Sequence, residues 1–161
     1  MTQEDKELLL KDLSARLPYG VFCVGITYEL DDDGERYIPV KVKDTLTEIH
    51  NYKLETASVR LGLISSCKLE TVKPYLRRLS SMTKKETKEL FKEIGFKFTC
   101  NTCGIPAHYH YEFAKQIKGI PTITNVDFIK MIDWLNAHHF DYRGLIGKGL
   151  ALEAPNDMYM T

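Results

Sequence analysis

Four soft or borderline metal ligands fall within 11 residues of this chain: Cys100-Asn-Thr-Cys103-Gly104, then His108-Tyr-His110. A Cys-x-x-Cys turn closed by glycine lets two thiolates converge on one ion. A His-x-His strand puts both imidazoles on one face, so the set suits tetrahedral structural zinc. Only four residues separate Cys103 from His108, a shorter loop than zinc modules usually close, so His50, His138 or His139 would serve equally as a remote ligand. The competing reading is a pair of ordinary cysteines beside solvent-facing histidines, since a free Cys packs as a small hydrophobe. A redox pair fits less well. Pro106 and the aromatic run over residues 108–113 stand where a helix would be needed to lower the first thiol's pKa.

A second cluster follows: His138-His139-Phe140-Asp141-Tyr142-Arg143. An imidazole and a carboxylate this close can pair for acid/base work, as in a hydrolase using His138, His139 and Asp141. No nucleophile is tied to them by sequence. A histidine at a helix C-terminus is often a dipole partner, and Asp141 with Arg143 is the usual composition of a loop-fixing ion pair. As a contact surface, His138, His139, Asp141, Tyr142 and Arg143 are candidates to bind a ligand or a partner.

Three other patterns fail when counted. Gly147-Lys148-Gly149 lacks both the glycine five residues earlier and the following hydroxyl of a P-loop, with Tyr142 and Gly149 at those places. Leu150 breaks the Gly-x-x-Gly of an RNA-binding KH loop. Glu29-Leu-Asp31-Asp-Asp33-Gly34 imitates a calcium loop whose closing Glu would fall at Val40, so a hairpin turn accounts for it better.

The elements that position these residues carry clear signals. A threonine followed three residues later by an acid starts three helices, at Thr2/Asp5, Thr83/Glu86 and Thr124/Asp127. Leu9, Leu10, Leu13 and Leu17 make the first apolar stripe, which stops at Pro18. Leu90, Phe91 and Ile94 make the second, ended by Gly95, and Phe128, Met131, Ile132 and Leu135 make the third. Residues 21–28 and 37–42, rich in β-branched and aromatic side chains, flank Asp31-Asp32-Asp33-Gly34 and predict a β-hairpin; Pro39 predicts that its strand is an edge. Further short strands are expected over residues 57–64, 67–72, 96–99 and 107–113. The sum is one α+β domain over residues 1–161: a small antiparallel sheet or partly closed barrel packed with about three helices. Residues 96–122 are a candidate inserted Cys/His lobe.

Composition narrows the function classes. The chain has 161 residues, 43% hydrophobic and 27% charged, the profile of an ordinary globular domain. Its apolar runs fall far short of the roughly 18 residues that span a bilayer. No membrane partner is expected. Four cysteines without a charged-then-apolar leader point to a reducing cytoplasm. Net charge is zero but uneven: residues 68–97 hold 9 basic and 4 acidic side chains, residues 1–67 hold 8 and 12. That basic island, with a zinc-knuckle-like lobe, is an alternative nucleic-acid surface. Glu86, Glu89 and Glu93 at helical spacing to its lysines argue instead for a solvated helix face.

Two longer segments, Lys73-Pro-Tyr-Leu-Arg-Arg-Leu-Ser-Ser-Met-Thr83 and Trp134-Leu-Asn-Ala-His-His-Phe-Asp-Tyr-Arg-Gly-Leu-Ile146, with the N-terminal helix, resemble a family of small uncharacterised proteins seen in gut-anaerobe chromosomes and their phages. Arg78 stands where that family has proline. The resemblance implies no activity. It fits a binding or accessory protein of phage or mobile-element origin, acting on an unidentified protein or small ligand, with structural zinc as the one cofactor the residues suggest.

Overall fold

The computed structural model describes residues 1–50, 57–94 and 127–159. Thr2 and Asp5 satisfy each other's backbone N–H groups in a capping box and start α1 (Gln3–Arg16). Leu9 and Leu13 are buried on its inner face. Pro18 then turns the chain into a 3-10 turn, Leu17–Tyr19, and Gly20, at φ 65, leads it into the sheet.

The strands are β1 (Phe22–Leu30), β2 (Tyr37–His50), β3 (Ser58–Leu61), β4 (Ser65–Lys68), β5 (Lys73–Leu76) and β6 (Leu152–Glu153). They lie in the order β4-β3-β2-β1-β5-β6, antiparallel throughout except for the parallel β5–β6 pair. With α2 (Lys84–Glu93) and α3 (Phe128–Ala137) the fold is α+β, and the sheet stays open.

The expected strand over residues 67–72 is broken. β4 ends at Lys68, and a 3-10 turn over Leu69–Thr71 precedes β5. Leu69 and Val72 are both buried. Three residues apart, they would face opposite sides of a strand, whereas the turn brings both inward. The third helix also starts differently. Asp127 itself accepts the N–H groups of Ile129 and Lys130, each at 3.1 Å, so the cap is Asp127. Thr124 lies outside the described residues.

Two compact units divide the chain: residues Met1–Leu79 with Asn136–Thr161, and Ser80–Leu135. The first holds the sheet and a core in which Leu9, Leu13, Val21, Leu46, Val59, Leu76 and Leu145 meet the free thiols of Cys23 and Cys67. Gly25 is required there by close approach: a Cβ on it would sit 2.8 Å from Cys67 Sγ and 3.2 Å from Val72 Cγ2. In the second unit, Leu90 and Ile94 are buried.

Candidate functional site

The His138 to Arg143 cluster folds into a polar network with α1. Arg16, wholly buried, donates from Nε and Nη2 to the equally buried Asp12 carboxylate at 2.7 and 3.1 Å, and from Nη2 to the Phe140 carbonyl at 2.8 Å. Arg143 reaches the same carboxylate, its Nε 3.5 Å from Asp12 Oδ1. Its Nη2 donates to the Tyr142 hydroxyl at 2.7 Å, which in turn donates to Asn136 Oδ1 at 3.1 Å. Both guanidiniums lie over the Tyr142 ring, at 5.6 and 4.9 Å from its centroid.

Asp141 does not spend its charge on Arg143. Its two carboxylate oxygens accept the N–H groups of Leu145 and Ile146, each at 2.8 Å, and set the turn that buries Leu145 and Leu150. The loop is tied to β5 by Arg77 N–H to the His139 carbonyl and Asp141 N–H to the Arg77 carbonyl.

His139 is buried, holds a left-handed backbone at φ 58, and stacks on Tyr159 at 4.0 Å. Burial, followed by the positive charges of Arg16, His138 and Arg77, pushes its pKa down to about 4, so at neutral pH it is an uncharged ring. Burial raises the Tyr159 phenol, which stays protonated. Its hydroxyl accepts the Phe22 N–H at 3.1 Å and donates to the Tyr75 carbonyl at 3.0 Å. His139, Asp141, Tyr142 and Arg143 thus each have described contacts around the loop. Chemically, their groups hold loop, helix and sheet to one another.

A different region has groups to spare. Among the described residues β3 pairs with β2 only from Leu46 onward, β5 pairs with β1 at Cys23 and Val24, and Thr71 Oγ1 accepts the Ile26 N–H at 3.4 Å; beyond them β1 and β2 run on as a two-stranded arm. Its tip is the expected turn: Gly34, at φ 71, donates to the Asp31 carbonyl, and Asp31 Oδ1 accepts the N–H groups of Glu35 and Arg36. Register pairs Ile26 with Lys41, Tyr28 with Pro39 and Leu30 with Tyr37, and paired residues share a face. That face is apolar and open: Ile26 is 38% exposed, Tyr28 55%, Leu30 52% and Tyr37 71%. At its base the C-terminal segment covers it, with Tyr159 against Phe22. A depression of about 470 Å³ lies there between Phe22, Lys43, Pro155, Asp157 and Met158.

The strand holding Pro39 is not the edge strand that the proline predicts: β2 lies between β3 and β1, and Pro39 falls on the stretch of it that β3 does not reach. Leu46 N–H donates to the Val21 carbonyl, and the pairs of an antiparallel ladder alternate, so the backbone groups of Tyr37, Pro39, Lys41 and Lys43 point to the outer side of β2. The N–H that proline lacks is one of these outward groups.

The remaining candidates separate. Cys100, Cys103, His108 and His110 lie outside the described residues, as does the expected lobe over residues 96–122. Among the described residues no three His, Cys, Asp or Glu side chains are grouped to hold a metal. His50, a candidate remote ligand, stands 3.1 Å from the Glu48 carboxylate, which also pairs with Arg60. Of the basic island, Lys73 lies on β5 and Arg78 pairs with Glu153, while Lys84, Lys85, Lys88 and Lys92 lie on α2, where Lys85 pairs with Glu89. Among the described residues no helix is long and apolar enough to cross a membrane.

Sequence reasoning passed over Asp12 and Arg16, whose i, i+4 spacing beside Leu9 and Leu13 was the available signal. It also passed over the exposed stripe, which Ile26-Thr-Tyr28-Glu-Leu30 announces by alternation. No family model, no curated protein and no solved structure matches the chain.

Proposed function

We propose that this protein is a non-enzymatic binding protein that acts by protein contact, with the apolar face of the β1–β2 arm as its contact surface. The observation that carries this reading is the exposure of Ile26, Tyr28, Leu30 and Tyr37 side by side on one face of a ribbon. A free two-stranded ribbon is marginal in water, and contiguous exposed apolar side chains commonly mark interaction sites. An accessory role on a mobile element is in keeping with the resemblance carried by residues 73–83 and 134–146.

An acid/base enzyme is less well supported. His139 is neutral and stacked, and both Asp141 oxygens are taken by backbone N–H groups. The acidic tip, Asp31, Asp32, Asp33 and Glu35 against Arg36, is also ill suited to a nucleic-acid backbone.

Photo-crosslinking tests the reading. A benzoylphenylalanine at position 28 should form covalent protein adducts in expressing cells and in purified protein. The same group at Lys85 on α2 serves as the control. Equal or absent adducts at the two positions would remove the arm from consideration.

A further inference from the structure

We infer that the occupant of the arm's apolar face is a second copy of this chain, the two arms packing face to face and antiparallel about a twofold axis near Tyr28 and Pro39. This rests on the contact reading above and names the partner. The face is graded along its length. Lys43 and Lys73 flank Val24 at the base, Lys41 lies beside Ile26, and Tyr28 and Pro39 occupy the middle. Leu30 and Tyr37 follow, and the turn holding Asp31, Asp32, Asp33 and Glu35 closes the far end.

A twofold at the middle row inverts that gradient onto itself. With two residues and about 7 Å per row, Ile26 meets the second copy's Leu30, and Lys41 meets the ring of the second copy's Tyr37. Lys43 and Lys73, two rows from the axis, face the second copy's acidic turn, two rows away on the other side. Such self-complementarity is what an isologous interface requires. The lysines are placed for it: Lys43 Nζ already lies over the Tyr75 ring at 4.9 Å, which holds its charge on this face, and Lys41 is exposed. Asp157 at the base is the one opposing charge in the depression.

The edge offers a poorer route to the same partner. Pro39 removes an outward donor in the middle of the stretch of β2 that no described strand but β1 pairs, and Lys41 and Lys43 follow it, a pattern that discourages strand addition. Face packing is the contact left.

Sedimentation equilibrium of the full chain tests this. At about 100 µM, above the micromolar constants of a small interface, the wild type should be dimeric, and less so as salt rises. Lys41→Glu with Lys43→Glu should weaken the dimer about tenfold, as should Asp32→Lys with Asp33→Lys, and the two variants mixed should restore a heterodimer close to wild-type affinity. All four positions are exposed, so the variants keep the fold, which circular dichroism checks. A monomeric wild type whose position-28 probe still crosslinks to another protein would overturn the dimer and leave the contact reading standing. A monomer with no adduct at position 28 would overturn both. A dimer that survives both charge reversals unchanged would place the interface elsewhere.

Discussion

The loop from Asn136 to Ile146 and the arm from Ile26 to Lys41 invert the expectation that reactive residue types mark the working surface. The loop holds two histidines, an aspartate, a tyrosine and an arginine, and the Asp141 oxygens, the Tyr142 hydroxyl and Arg143 Nη2 are bonded within the fold. The arm holds ordinary strand residues, and its apolar side chains face water. Buried charge needs a partner for every group, so a cluster of such residues can be as much a requirement of folding as of chemistry. Exposed apolar surface needs a partner too. In the arm that partner is not supplied by any described part of the same chain.

The comparison breaks most visibly in the loop. Arg16→Met should cost about 3–5 kcal/mol in urea unfolding, because Asp12 would stay buried with Arg143 Nε at 3.5 Å as its remaining ionic contact. A loss below about 1 kcal/mol would mean that the network is ornamental. Next comes the border between the regions, where β1 leaves the core. Gly25→Val should cost about 1–3 kcal/mol by driving a side chain into Cys67 and Val72.

Asp141→Ala should cost about 1–2 kcal/mol by orphaning the Leu145 and Ile146 N–H groups, and Asp141→Asn less, since one acceptor oxygen remains. A smaller effect is pH dependence. His139 binds its proton more weakly in the folded chain, at about 4, than at its ordinary 6.5. Its contribution is therefore complete above about pH 6.5 and lost as pH falls toward 4. Thermal unfolding from pH 7 to 4 should show this slope in the wild type and not in His139→Asn, whose side chain tolerates the positive φ. The smallest effect on stability belongs to the arm: single substitutions at Tyr28 or Tyr37 should stay within about 0.5 kcal/mol.

Much of the scaffold was legible. The capping boxes at Thr2 and Thr83, the leucine stripe of α1 and the hairpin around Asp31 to Gly34 are local signals, and local chemistry sets them. The break after Lys68 was not legible, because it depends on Leu69 and Val72 sharing one side of a core assembled from distant strands. For the candidate site, residue types pointed to the His138–Arg143 stretch, but its partners could not be named from sequence: Asp12 and Arg16 lie more than a hundred residues away. The stripe on the arm was readable as alternation, yet only the pairing register shows Tyr37 and Pro39 on the same face as Leu30 and Tyr28.

The most direct test is urea unfolding of dilute Ile26→Ser/Tyr28→Ser/Leu30→Ser beside wild type. At low concentration any association contributes little to stability. If the stripe is kept for contact, the variant should unfold within about 1 kcal/mol of wild type with the same denaturant slope. A loss of several kcal/mol, or a changed slope, would show that the stripe belongs to the core of the fold and contradict its assignment as a binding surface.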